Sequence, residues 1–250
     1  MTDSISIATY NIHKGFSNFN RRLVVHELRD RLRSLHADLI FLQEVQGAHI
    51  EHSRRMANWP IEPQYEFLAE EMWADFAYGK NAIYNQGHHG NAILSRFRIV
   101  SWVNEDISAH AFESRGLLHC ELEVPGWIDN LHCICVHLGI FGRGRMQQIN
   151  TLCDRIERMV PEAAPLVIAG DFNDWRQRAS KVMRARLGLR EVFELTHGRP
   201  ARSYPSGMPL LRLDRIYVRG FRVSTARLLH GHHWARLSDH TPLSANLVRL

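Results

Sequence analysis

Short apolar runs bounded by polar residues recur along the chain: ISIATY (5–10), ADLIFLQ (37–43), NAILS (91–95), LLHCELEV (117–124), LHCICVHL (131–138), PLVIAG (165–170), LDRIYV (213–218) and PLSANLV (242–248). Their length and β-branched content predict strands. A helical spacing appears over 21–35, where Leu23, Leu28, Leu32 and Leu35 recur, and again over 64–76. It is longest over 143–160, where Met146, Ile149, Leu152, Ile156 and Met159 form an apolar stripe suited to core packing. Helices separate some of the strands while others follow one another directly. That order predicts a mixed α/β fold with two sheets rather than one parallel sheet. No repeat, low-complexity tract or Gly/Ser- or Pro-rich linker interrupts the pattern, so a single domain over 1–250 is expected.

The stretch APLVIAGDFNDWRQ (164–177) shows how these strands end: an apolar run passes straight into Asp171, Asn173 and Asp174. The same happens elsewhere. Asn11 follows IATY, Glu44 follows LIFLQ, His137 follows CICV, Asp214 lies in RLDRIYV, and Ser238, Asp239 and His240 precede TPLSANL. Each residue alone has an ordinary account as a turn former, helix cap or core histidine, and Asp214 could pair with Arg212 or Arg215. Their recurrence is more telling, because α/β sheets place binding sites at strand ends, where several segments converge.

The residue types are chemically coherent. Carboxylate and amide oxygens from Glu44, Asp239, Asn11, Asp171 and Asn173 suit Mg²⁺ or Mn²⁺, which take hard oxygen ligands. His137 and His240 can move or donate protons near neutral pH. The short Cys/His spacings of a structural zinc site are absent from the sequence. Asp174 is read as a turn or cap residue, so the expected site stops at Asn173.

Composition narrows the setting. At 250 residues and 45% hydrophobic, the chain can bury a large core, and 31 basic against 26 acidic side chains give a net charge of +5. That balance is compatible with anionic substrates without the concentrated charge of a dedicated nucleic-acid module. Cys120, Cys133, Cys135 and Cys153 lack paired spacing and read as free thiols, which fits a reducing compartment. The start, MTDSISIATYNIHKG, has no leader-like pattern, and no run approaches the ~18 apolar residues of a membrane span. The expectation is a cytoplasmic monomer without membrane insertion.

Taken in order, TYNIHKG, FLQEV, GHHGNAILSR, CVHLG, AGDFND, LDRIYV and LSDHTPLSA strongly resemble the endonuclease/exonuclease/phosphatase superfamily, which includes the DNase I-like nucleases, neutral sphingomyelinases and inositol polyphosphate 5-phosphatases. The resemblance spans Asn11 to His240 and points to a compact bacterial branch. It implies a four-layer α/β/β/α sandwich of two mixed β-sheets flanked by helices, with the site at one edge of the sheets. By the same resemblance Glu44 binds the metal, with Asn11 and Asp239 as further metal or metal-water ligands. Asp171 orients or deprotonates the attacking water, and Asn173 contacts phosphoryl oxygens. His240 binds the scissile phosphate, oriented by Asp214, and His137 matches the second histidine of the nuclease and sphingomyelinase branches. Arg115 is a phosphate contact.

The implied activity is Mg²⁺- or Mn²⁺-dependent hydrolysis of a phosphodiester by in-line attack of water. A nuclease, a lipid-headgroup or small-metabolite phosphodiesterase or phosphatase, and an inactive scaffold or nucleic-acid-binding protein on the same fold remain open. His13 and Lys14, with Arg21 and Arg22, are candidate substrate contacts, and His88 and His89 are placed near the mouth. Trp175 and Trp234 could stack on nucleic acid or serve as packing anchors. His230, His232 and His233 could form an accessory metal site or an exposed rim.

Overall fold

The computed structural model describes residues 3–250; Met1 and Thr2, at the start read as lacking a leader, lie outside the described residues. Twelve strands form two six-stranded sheets. The first contains β1 (Ser4–Asn11), β2 (Leu39–His49), β3 (Asp75–Tyr84), β4 (Gly87–Ser95), β11 (Phe221–Leu228) and β12 (Leu243–Arg249), in the spatial order β11-β12-β1-β2-β4-β3. The second contains β5 (Arg98–Asp106), β6 (Gly116–Glu123), β7 (Leu131–His137), β8 (Leu166–Asp171), β9 (Arg190–Glu191) and β10 (Asp214–Arg219), in the order β5-β6-β7-β8-β10-β9. The helices are α1 (Val25–Ser34), α2 (Ile50–Arg55), α3 (Gln64–Ala69), α4 (Gly142–Met159), α5 (Ala179–Leu187), α6 (Val192–His197) and α7 (His232–Ala235).

Alternation along the strands builds the layers. Ile5 and Ile7 of β1 face Cys133 and Cys135 of β7 in the core between the sheets, while Ala8 and Tyr10 turn the other way onto Leu28 and Leu32 of α1. On the second sheet Ile134 and Val136 point outward against Ile149, Leu152 and Ile156 of α4. The result is the expected α/β/β/α sandwich, and of the stripe on α4 Met146, Ile149, Leu152 and Ile156 pack in the core while Met159, at the end of the helix, is exposed. All four cysteines are free and buried. No helix among the described residues is long and apolar enough to cross a membrane.

The spacing over 64–76 does not make one helix. The backbone leaves α3 at Glu70 (φ −44°, ψ 133°), turns through Glu71 at φ +66°, and Asp75 opens β3. A short helix and the start of a strand together mimic helical periodicity. The region 21–35 likewise forms helix only from Val25. β3, β5 and β11 were not visible as apolar runs, and each stands at an edge of its sheet. In β5 Val100 and Trp102 are exposed, so the alternation that marks a half-buried strand is diluted.

The helix-facing side of the second sheet also buries two polar rings. His119 of β6 and His132 of β7 lie 3.0 Å apart, Nε2 to Nδ1, and burial lowers the His119 pKa from 6.5 to about 4. A histidine lowered on folding contributes stability above its unfolded pKa and loses it as pH falls through the folded one. Between pH 7.5 and 5, wild type should lose about 2 kcal/mol more stability than His119→Gln, at ~1.4 kcal/mol per pH unit below 6.5. Denaturant unfolding at the two pH values measures this, and equal losses in the two proteins would refute it.

Candidate active site

β1 and β2 run parallel, so Asn11 and Glu44 emerge at the same end of the first sheet. β12 is antiparallel to β1, with Leu243 opposite Thr9, which brings the preceding residues Ser238, Asp239 and His240 to that end. In the second sheet the parallel pair β7 and β8 finishes in register at His137 and Asp171. β10 is antiparallel to β8 and begins with Asp214 opposite Asp171. Ser238 fastens two of these segments: its Oγ donates to the Asn11 carbonyl at 2.7 Å and accepts from the His240 amide at 3.2 Å.

Two backbone features shape the ends. Gly170, at φ +145°, lets β8 pass so close to β7 that a β-carbon there would lie 2.0 Å from the Val136 carbonyl oxygen. On β2 the register slips between Leu42 and Val45, so that Gln43 and Glu44 stand opposite Asn91 alone. Glu44 takes φ +55° in this bulge, a conformation costly for a residue with a side chain and one that collects at functional sites.

These ends enclose a cavity of about 480 Å³ between the sheets. Asn11, Lys14, Glu44, His89, Asp239 and His240 line it from the first sheet. Arg115, His137, Asp171, Asn173, Trp175 and Tyr204 line it from the second. A larger recess of about 1000 Å³ beside α1 and residues 56–62 is lined by Arg22 but by none of the residues expected to hold metal or act on phosphate.

Asp171 is at the centre and is 1% exposed. Its Oδ1 accepts from the Asn173 amide at 2.9 Å, and its Oδ2 accepts from Asn11 Nδ2 at 3.3 Å, across the gap between the sheets. The Nε2 atoms of His137 and His240 lie 3.5 and 3.7 Å from that same oxygen. Burial raises the Asp171 pKa, helped by the nearby Asp214 carboxylate, while His240 pulls it the other way.

Asp214 does not line the cavity. It supports His240 from behind, its Oδ2 accepting from Nδ1 at 2.9 Å. The Arg215 guanidinium, fully buried, donates instead to the backbone carbonyls of Asp214 and Asp174, so the carboxylate is left to the histidine. Burial would depress the His240 pKa, but Asp214 and then Asp171 outweigh it and push it up to about 10. His137 goes the other way: burial, then Arg115 and His240, hold it well below the ordinary value. One imidazole is therefore cationic and the other neutral at neutral pH.

The remaining expected residues are placed as follows. His13 lies outside the lining, with its Nδ1 3.3 Å from Asp239 Oδ1, and Lys14 reaches the cavity. Glu44 Oε1 accepts from Asn11 Nδ2 at 3.4 Å. Asn173, at φ +49°, donates Nδ2 to the Leu138 carbonyl at 2.9 Å. Asp174 is buried, accepts the amide of Ala179, the first residue of α5, at 2.7 Å, and does not line the cavity. Arg22 pairs with Glu27, Arg21 covers Phe19, and neither lines the cavity. Trp234 packs edge-on against Tyr10. His88 bonds Tyr78, whereas His89 lines the cavity.

Among the described residues, one group of three His, Cys, Asp or Glu side chains is tight enough to suggest a cation, Asp171, Asp214 and His240. His240 already uses Nδ1 on Asp214, so this is a hydrogen-bonded chain rather than a ligand cage. His232 and His233 are exposed and belong to no such group. Tyr204, whose ring centroid is 5.0 Å from that of His240, was not anticipated. It comes from a long loop with no periodic signal.

A family model described as the Endonuclease/Exonuclease/phosphatase family matches residues 8–240. The chain belongs to this family. The Escherichia coli K12 protein YbhP, itself uncharacterized, is 48% identical over 98% of this chain and 96% of its own length. The endonuclease/exonuclease/phosphatase structure from Beutenbergia cavernae superposes with a TM-score of 0.75 at 20% identity, over 99% of this chain and 72% of that one. Truncated Caenorhabditis elegans TDP2 gives a TM-score of 0.70 at 16% identity, over 98% and 97% of the two chains. At such identities the two structures show a shared fold. Family membership makes this chain one of a group of generally hydrolytic, generally metal-dependent phosphoesterases.

Proposed function

We propose that the protein is a Mg²⁺- or Mn²⁺-dependent phosphoesterase that hydrolyses a phosphodiester by direct in-line attack of water. The observation that carries this reading is the meeting of Asp171 with Asn11, His137 and His240 across the two sheets, beside a set of oxygen donors. Glu44, Asp239 and Asn11 fit a hard divalent cation, being carboxylate and amide oxygens on a strained bulge and adjacent strand ends. Such an ion would supply Lewis-acid polarisation of the phosphoryl group.

The protein's own groups do the rest. Asp171, with its raised pKa, accepts the proton of the attacking water. Cationic His240 donates to a phosphoryl oxygen as negative charge grows, while Asp214 fixes its tautomer. Neutral His137 and Asn173 orient the other oxygens, and Lys14 and Arg115 add positive charge at the mouth. The whole chain acts as one catalytic domain.

The test is a panel of supercoiled and single-stranded DNA, RNA, bis-p-nitrophenyl phosphate, sphingomyelin, phospholipids and inositol phosphates with Mg²⁺ or Mn²⁺, alongside EDTA and Asp171→Ala controls. Metal-dependent turnover of a phosphodiester, lost in both controls, is expected. Folded, metal-supplied protein that cleaves nothing would overturn the proposal in favour of a scaffold. Asp214→Asn should lower kcat about tenfold or more and bring the His240 ring back towards an ordinary titration, as followed by NMR. An unchanged titration would remove Asp214 from its positioning role.

A further inference from the structure

The cavity is framed on the second-sheet side by four loops, residues 107–115, 138–141, 172–178 and 198–213, and their tips are unusually apolar. Phe112 is 99% exposed, Phe141 66% and Met208 66%, with Leu210 also exposed. Nearer the cavity, Ile140, Trp175 and Leu211 are exposed and line its wall, so the apolar surface runs from the mouth out to the tips. The loops are built to hold these positions. Residues 204–211 close into a hairpin through a Tyr204 to Leu211 bridge, with the amides of Leu210 and Leu211 donating to the Tyr204 carbonyl. Residues 107–115 lie against the start of α4, where a β-carbon on Gly144 would meet His110 and Ala109.

Charge on the same loops has one sign. They carry six arginines, with Arg143 following in the first turn of α4, and two carboxylates, Glu113 and Asp174. Asp174 is buried beneath α5, and Glu113 is turned inward to the Ala109 amide and Gln148. Arg143, Arg176 and Arg178 are exposed, line one groove beside Gly142, and have no ion-pair partner among the described residues; the carboxylate in that groove, Asp154, is paired with Arg186. Exposed apolar tips on loops that also carry unpaired arginines mark an interaction surface.

We propose that this collar docks the protein on the surface of an anionic phospholipid bilayer, with the cavity mouth facing the headgroups. Aliphatic tips such as Met208 and Leu210 have nothing to stack on in a nucleic acid, whereas they gain by entering the boundary between headgroups and acyl chains. The arginines complement the negative surface. Docking is peripheral and needs no spanning helix. It does not depend on hydrolysis; that a headgroup phosphodiester is what enters the cavity rests on the phosphoesterase reading above.

The test is co-sedimentation of the whole protein with vesicles of phosphatidylcholine, alone or containing phosphatidylglycerol, in EDTA so that no turnover occurs. Wild type should partition onto the phosphatidylglycerol vesicles and be released by high salt. Phe141→Ser/Met208→Ser/Leu210→Ser, in exposed positions outside the cavity wall, should lower that partitioning at least tenfold while hydrolysing bis-p-nitrophenyl phosphate as wild type does. Arg176→Gln/Arg178→Gln should weaken binding and flatten its salt dependence. Absence of wild-type binding, undiminished partitioning of the serine variant, or tighter binding to a single-stranded oligonucleotide than to vesicles would each overturn the proposal. If no substrate is cleaved by any form, the catalytic reading fails while the vesicle result still decides the docking.

Discussion

Asp171→Asn is expected to lower kcat at least ~10²-fold, the scale of losing one group that acts on the transition state, while the protein melts at the same or a higher temperature. The two effects have one cause. The carboxyl is fully buried and its pKa is raised chiefly by that burial, so its charge is held at a cost in folding free energy. Asparagine keeps the volume and an acceptor oxygen for the Asn173 amide, but it cannot take a proton from water. A structural role alone would lower activity and melting temperature together. Turnover measured beside thermal unfolding separates the cases, and a variant that stays fully active would displace Asp171 from the centre of the mechanism.

Glu44→Gly should show the same opposition from a different source. Glu44 is held at φ +55° in a bulge of β2, where a side chain costs on the order of 1–3 kcal/mol and glycine costs far less. Removing the side chain should therefore stabilise the fold by about 1 kcal/mol. Activity should fall ~10²-fold or more if a metal oxygen is lost, and the Mg²⁺ or Mn²⁺ concentration needed for half-maximal activity should rise. Glu44→Gln, which keeps the strain and one oxygen, should gain no stability. If Glu44→Gly were less stable than wild type, the bulge would be holding the fold rather than the site.

The central strands and the polar residues at their ends were readable in advance because burial on both faces leaves long apolar runs. Ala169 and Val167 pack between the sheets while Ile168 packs under the helices, so nothing interrupts the run into Asp171. The outer strands β3, β5 and β11 follow no such rule, since exposed positions break up each of them. Asp214 shows the limit in the site. Its neighbours Arg212 and Arg215 suggested an ion pair, yet Arg215 is spent on carbonyls and the carboxylate serves His240. That choice depends on the antiparallel register of β10 on β8, which no local spacing contains. Tyr204 and the collar at the tips of residues 107–115 and 204–211 were equally hidden, because loops acquire neighbours only through the strands that carry them.

Cys120, Cys133 and Cys135 lie in the layer between the sheets, and Cys135 bridges them, accepting from Gln43 Nε2 at 3.3 Å and donating to the Leu42 carbonyl at 3.4 Å. Burial holds all three thiols far above their ordinary pKa. They are therefore a built-in clock for the assembly of the molecule. During refolding, a thiol reagent added at successive times should find these sulfurs reactive until the sheets close, then silent. Because Asn11 and Asp171 come from opposite sheets, catalytic competence should return on the schedule of that silence and not with the earlier recovery of strand and helix.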